Sequence, residues 1–239
     1  MKIGGFPSLV LVALLATAAP PGSLAAAAAN DLSQAARRLA LWAPARAGQV
    51  VRFEALDVEG RATRSADYRG RVLLVEFFAT CCCLTCPDEL PALARLHRKY
   101  RDAGLAVVLV SVDSYPTEVV RGYLKALNIR LRAIHDEDGR LYSLFGVETL
   151  PTTILLDREG RWAARSGVMR AEGDAAPLDG RSAQAVIGAL LQGERLPLAP
   201  DPDRMEGPEH NRRVEPARLD RLREGTKPGD LEKFWRQKE

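Results

Sequence analysis

Outside one window of six positions the chain has no cysteine: Cys81, Cys82, Cys83 and Cys86 are all of them. That excludes a disulfide-stapled scaffold, which spreads its bridges through the fold, and concentrates any thiol chemistry at one place. A charge surplus is missing too. Basic residues number 34 against 31 acidic ones, so the electrostatic footprint of a nucleic-acid binder is absent and no nucleic acid partner is expected. Histidine is scarce and scattered, at His97, His135 and His210, and no second C-x-x-C exists, so a four-ligand zinc or iron–sulfur corner cannot be completed. What remains is a chain with 46% hydrophobic and 27% charged residues, rich enough in Leu, Val and Ile to bury a core and therefore not disordered as a whole.

Long apolar runs are also lacking. Leu9 to Ala19 is apolar but ends at Pro20-Pro21-Gly22, short of the roughly 20 residues a spanning helix needs. With Lys2 before it and small residues up to Ala29-Asn30 after it, the segment has the order of a secretory signal cut between Ala25 and Asn30. Residues 1–29 are read as that signal peptide. The mature chain is then periplasmic or otherwise exported, with no membrane span, and membrane-anchored if the segment is retained. In an oxidising compartment clustered thiols stay disulfide-bonded unless something reduces them. Residues 30–48 read as an N-terminal extension. Residues 194–239, rich in Pro, Arg, Asp and Glu, read as a charged flexible tail in which Arg212, Arg213, Arg218, Arg221 and Arg223 are interleaved with acids.

Between them, residues 49–193 carry the periodic structure. Val50 to Leu56 predicts a strand with a turn at Val58-Glu59-Gly60-Arg61. Val72 to Phe78 and Leu105 to Val112 predict central strands covered on both faces. Helices are expected over Glu89 to Ala103, stopped by Gly104, over Thr117 to Leu127, and briefly over Leu141 to Phe145. Thr152 to Asp157 and Arg161 to Ser166 predict a hairpin about Arg158-Glu159-Gly160, and Ser182 to Leu191 a closing helix. The pattern gives an α/β fold, a sandwich with a central mixed sheet flanked by helices.

Cys83-Leu84-Thr85-Cys86 stands where a buried strand passes into an amphipathic helix. There the unpaired N–H groups and the macrodipole stabilise a thiolate on the first cysteine, and the second lies one turn further in. Phe77-Phe78-Ala79-Thr80 before the cysteines, Cys86-Pro87-Asp88-Glu89-Leu90-Pro91 after them, Val110-Ser111-Val112-Asp113, Thr149-Leu150-Pro151-Thr152 and Leu155 to Gly160 resemble the TlpA/ResA branch of the thioredoxin-like proteins, from about Gln49 to Gln192. The resemblance implies a thioredoxin-like sandwich and thiol–disulfide exchange, typically reducing, in cytochrome c maturation or copper-site assembly. It implies no cofactor beyond a redox-active disulfide, protein thiol or disulfide substrates, and an upstream electron donor. Carried over residue by residue, Cys83 attacks, Cys86 resolves, Pro151 is the cis-proline that holds a substrate chain, and Pro91 kinks the helix. Glu76, a carboxylate inside an apolar strand, falls where thioredoxins keep a buried acid that accepts the resolving thiol's proton.

The chain departs from the family in having Thr80-Cys81-Cys82-Cys83 where an aromatic residue usually precedes the first cysteine. Counting back from Pro91 selects Cys83 as nucleophile; counting forward from Glu76 selects Cys82. With Cys82 the motif becomes C-x-x-x-C and resembles the Sco-type copper chaperones, for which Cys82, Cys86 and His135 would have to supply two sulfurs and an imidazole. Thr80 lies three residues before Cys83 as in peroxiredoxins, but Glu76 occupies the position of their proline. Asp136, Asp138 and Gly139 lack the remaining ligands of a calcium loop and read as a polar turn.

Overall fold

The computed structural model describes residues 21–80, 86–166 and 177–200, the side chains of 21–25 and of Cys86 excepted. The chain enters through helix α1 (Pro21–Arg38), the two-residue strand β1 (Leu41–Trp42) and the hairpin β2 (Glu54–Leu56) and β3 (Ala62–Arg64). It continues through β4 (Val72–Phe78), α2 (Cys86–Tyr100), β5 (Leu105–Ser111), α3 (Thr117–Ala126), β6 (Arg132–His135) and α4 (Arg140–Leu144). It closes with β7 (Thr152–Leu156), β8 (Trp162–Ser166) and α5 (Arg181–Leu191). Among the described residues six strands form one sheet in the order β1-β8-β7-β4-β5-β6, and β2 and β3 pair separately.

β4 and β5 are buried at every position, which is why both are legible as unbroken apolar runs. They run parallel, with Val72 opposite Leu105 and Phe78 opposite Ser111, and α2 makes the crossover between them. β7 lies antiparallel on the other side of β4, with Glu76 opposite Thr153. This is the mixed sheet flanked by helices that the sequence implies. Alternation along β4 divides the core in two. Val72, Leu74 and Phe78 face a layer that includes Leu90, Leu93 and Leu96 of α2, Val120 and Tyr123 of α3, and Val186, Ile187 and Leu190 of α5. Leu73, Val75 and Phe77 face Phe53, Leu141, Tyr142 and Phe145. Phe145 centres that second layer, edge-on to Phe77 and Trp162 at 5.4 Å each and to Phe53 at 6.0 Å. Gly104 ends the α2 region at φ 107°, a left-handed turn that L-residues with a side chain rarely adopt.

The structure differs from the sequence expectations at three places. Residues 50–56 do not form one strand: Val51 N–H donates to the Gly160 carbonyl and Trp162 N–H to the Gln49 carbonyl, after which the chain leaves that partner and pairs as β2 with β3. Between the expected helices at 117–127 and 141–145 the sequence predicts no strand, yet β6 lies there and ends at His135. The folded body also extends past 49–193. β1 pairs with β8, Leu41 opposite Ser166. Ala35, Ala36 and Leu39 are buried, Leu196 and Leu198 pack on the same core, and Ala43 N–H donates to the Ala199 carbonyl. The expected signal overlaps α1, which begins at Pro21, a residue suited to a first helical turn; residues 1–20 and 201–239 lie outside the described residues. No helix among the described residues is long and apolar enough to cross a membrane.

The turn after β2 is held by Asp57, which is 5% exposed. Its carboxylate accepts the N–H groups of Glu59 and Arg61 at 3.0 and 2.8 Å, Arg61 Nε at 2.9 Å and Arg132 Nη1 at 2.6 Å, tying the hairpin to β6. Burial pushes its pKa up, but the hydrogen bonds and charge of Arg61 and the Glu59 N–H outweigh it and hold the group below its ordinary 3.8. A carboxyl held low in the fold stabilises above its unfolded pKa and loses that contribution as pH falls through the folded one. Asp57→Asn is expected to lower urea stability by about 2 kcal/mol at pH 7, with the gap to the unsubstituted protein closing below about pH 4.

Candidate functional site

The positions singled out in the sequence meet where β4 ends and α2 begins. Glu76 shares its parity with Leu74 and Phe78 and so points to the α2 side of the sheet, fully buried. The neighbouring strand supplies its partner: Thr153 donates its hydroxyl to Glu76 Oε2 at 2.7 Å. Thr153 also lines a small apolar cavity with Leu74, Leu96 of α2 and Val186 of α5, so the carboxylate sits in a region of low polarity beneath the helix. Thr153 is itself held by its N–H, which donates to Ser166 Oγ at 2.9 Å.

Pro151 follows a cis peptide bond, Leu150–Pro151, as the resemblance implies. Since Thr152 is opposite Phe77, the antiparallel register brings Pro151 level with Phe78, at the strand end from which the chain leaves for the cysteines. Cys86 opens α2, so its backbone is at the expected helix N-terminus. Cys81, Cys82 and Cys83 lie outside the described residues, as does the Cys86 side chain. α2 starts three residues before the sequence expectation because Cys86 and Pro87 are already helical, and Pro91 lies inside it. Asp88 and Glu89 occupy its first turn, and Glu89 Oε2 is closed off from solvent. Sequence reading treated Glu89 as no more than the helix start; its spacing of three from Cys86, one turn, was the available signal.

A second buried carboxylate escaped the sequence reading. Asp113, 2% exposed just past the end of β5, accepts Thr80 N–H on both oxygens at 2.9 and 3.0 Å, the Thr80 hydroxyl at 2.9 Å and the Ser111 hydroxyl at 2.5 Å. Thr80, the residue a peroxidase reading relies on, thus spends its hydroxyl on Asp113. Tyr123 stacks on Phe78, and burial, followed by the charges of Asp113 and Asp88, pushes its phenol up to about 12. The signal for Asp113 was an acid directly after an apolar strand, at the carboxyl end of a parallel sheet where α/β sites form.

Of the copper set Cys82, Cys86 and His135, His135 has a described side chain. Its Nε2 lies 2.9 Å from the Asp113 carbonyl, so it carries the proton and donates; Nδ1 lies 2.9 Å from the Thr117 hydroxyl. Both nitrogens are engaged inside the protein, and β6 is two strands away from β4. Asp136 accepts the N–H groups of Leu141 and Tyr142 at 3.0 and 2.7 Å, holding the start of α4, which agrees with its reading as a turn residue.

Known proteins agree with this architecture. The family model described as the AhpC/TSA family matches residues 47–164. Thiol-disulfide oxidoreductase ResA of Bacillus thuringiensis subsp. konkukian is 27% identical over 110 residues, 46% of this chain and 62% of the relative. ResA of Geobacillus thermodenitrificans is 30% identical over 109 residues, again 46% and 62%. The match thus spans less than two thirds of these relatives' own length. Among solved structures, a Chlorobium tepidum protein assigned as the thiol:disulfide interchange protein DsbE superposes with a TM-score of 0.53 at 25% identity, covering 61% of this chain and 97% of the other. A Sinorhizobium meliloti 1021 protein gives 0.57 at 22% identity, covering 66% and 90%, a likeness of fold alone. The chain has a thioredoxin-like fold and is similar to the ResA proteins, as its motifs indicate.

The Glu76–Thr153 contact is testable on its own. Thr153→Val keeps the shape but removes the donor to a buried carboxyl, and is expected to cost about 1–3 kcal/mol in urea unfolding, whereas Thr153→Ser keeps most of the stability.

Proposed function

We propose that the protein is an exported thiol–disulfide oxidoreductase acting on protein substrates. The observation that carries this reading is a fully buried carboxylate, Glu76, on the α2 side of β4, hydrogen-bonded by Thr153 and beneath the helix that begins at Cys86. A carboxyl in that setting is cut off from bulk water and is suited to exchanging a proton with a neighbour instead. Similarity to ResA and to the Chlorobium protein supports the same chemistry.

In the reducing direction the Cys83 thiolate attacks one sulfur of a substrate disulfide. That S–S bond breaks, a mixed disulfide forms, and the released substrate sulfur takes a proton. Cys86 loses its proton to Glu76 and attacks the Cys83 sulfur. The second substrate sulfur leaves as a thiolate and takes up the proton that Glu76 received, and the protein retains a Cys83–Cys86 disulfide, having passed two electrons to the substrate. An upstream donor returns two electrons. The helix N-terminus favours the attacking thiolate, and Pro151, level with the strand end, lines the approach of an extended substrate chain. Clients of the cytochrome c maturation or copper-site assembly type suit a reductant in an oxidising compartment.

Cys86→Ser should accumulate mixed disulfides through Cys83, seen by mass spectrometry of trapped adducts; accumulation through Cys82 alone would reassign the nucleophile. Glu76→Gln should slow exchange about 100-fold at neutral pH, measured by insulin reduction, because the proton then has no buried acceptor. Copper carriage would require His135 to give up two internal hydrogen bonds. Tight stoichiometric Cu(I) binding by the reduced protein, lost in His135→Ala, would favour that function over this one.

A further inference from the structure

The end of the sheet opposite Phe78 gathers arginines without acids to match them. β4 enters there after Arg69 and Arg71, parallel β5 enters there after Arg101, and antiparallel β7 leaves there into the turn that carries Arg158. Hydrogen bonds knit these segments together. Gly70 N–H donates to the Arg158 carbonyl at 2.8 Å and Val72 N–H to the Gly104 carbonyl at 3.0 Å. Arg158 Nη2 donates to the Leu191 carbonyl at the end of α5 at 2.6 Å, and Arg71 Nη2 to the Leu105 carbonyl at 2.9 Å. Such acceptors carry no formal charge, so the guanidinium charges stay unmatched. Among the described residues Arg69, Arg71 and Arg158 form no ion pair. The nearby acids are engaged elsewhere or loosely held: Asp67 accepts the Arg64 N–H at 3.0 Å, Glu159 lies 3.8 Å from Arg161, and Asp102 lies 3.5 Å from Arg101 with its side chain 89% exposed. His97 feels the surplus. Burial, then the charges of Arg71 and Arg101, hold its pKa below the ordinary 6.5, although Asp102 acts the other way. The even charge of the whole chain thus hides an uneven distribution.

Two further observations choose an occupant for this surface. Tyr68 and Tyr100, both half-buried, stand among the arginines, and tyrosine beside basic residues is the composition of a membrane–water interface. α1 also starts at this end. Its Ala28 and Ala29 share a cavity with Gly188 and Gln192 near the end of α5, so the chain before α1, apolar from Leu9 to Ala19, joins the body here. We propose that this arginine-rich end docks on the anionic headgroups of a lipid bilayer, a peripheral contact that points the Phe78 end of the sheet away from the surface. β4 sets the stand-off. Six residue steps from Val72 to Phe78 span about 20 Å, beyond the roughly 8–10 Å over which salt screens a charge at physiological strength. The arginines of the patch all follow α1, so the contact survives removal of residues 1–29.

Flotation of the full chain with vesicles of phosphatidylcholine alone, or with roughly one third phosphatidylglycerol, tests this at low and high salt. Binding is expected to the anionic vesicles and not to the neutral ones, and to fall as salt screens the contact. A basic side chain at such a surface is worth roughly fivefold in binding, so Arg69→Gln with Arg101→Gln, both exposed positions, is expected to weaken it about 30-fold. Arg69→Lys with Arg101→Lys keeps the charge and is expected to keep the binding, which separates charge from local structure. Arg121→Gln with Arg140→Gln removes the same charge from α3 and α4 and is expected to change binding less than about threefold. Equal binding to both kinds of vesicle, binding to neither, or equal losses in the two glutamine variants overturns the proposal. Retention on immobilised polyglutamate without flotation overturns it too and gives the surface to an acidic protein. If the Arg69 and Arg101 glutamine variant does not fold, the lipid and salt dependence of the unsubstituted protein decides.

Discussion

Strand β4 is buried on both faces, and a strand so placed has no solvent to which a polar side chain can turn. Everything near the site answers to that constraint. An acid at Glu76 must find a donor inside the sheet, and the antiparallel neighbour provides one at the register position directly opposite, Thr153. The amide that follows the strand must find an acceptor, and the parallel neighbour provides one in Asp113, just past its own end. One strand is thus flanked by two polar solutions, one from each side, both close to where the chain leaves for the cysteines.

Mixed pairing makes this possible. Antiparallel β7 returns toward β4 with Pro151 at its start, so a backbone turn rather than a helix stands on that side of the strand end. Parallel β5 carries the chain in the same direction as β4, so its exit, Ser111 to Asp113, emerges beside Thr80. His135 at the end of β6 then braces the Asp113 backbone from one strand further out. Each donor and acceptor is tied to a strand or to its end, which suits the proposed exchange, in which two sulfurs must stay within bonding reach.

The sequence made some of this visible and hid the rest for physical reasons. β4 and β5 read directly, since a doubly covered strand leaves an uninterrupted apolar run. Glu76 stood out as the one charge in such a run, and Pro151 through its resemblance. β6 did not read, because Arg132-Ala133-Ile134-His135 is four residues long and polar at both ends. β1 and the 194–200 segment were hidden because their pairing is wholly non-local: nothing within Ala43 indicates that its partner is Ala199. Asp113 was hidden in another way. An acid after a strand is common, and only the orphaned Thr80 N–H, visible once the ladder is traced, gives it a task.

The clasp between Ala43 and the 199–200 segment ties the chain after β1 to the chain after α5 at one margin of the sheet, with β8 and β7 between that margin and β4. A pull between these two segments therefore meets the clasp and the few rungs of β1 to β8 before it meets β4. Those outer pairings serve as a mechanical fuse: tension would strip them first, while the strand that carries Glu76 kept its partners on both sides.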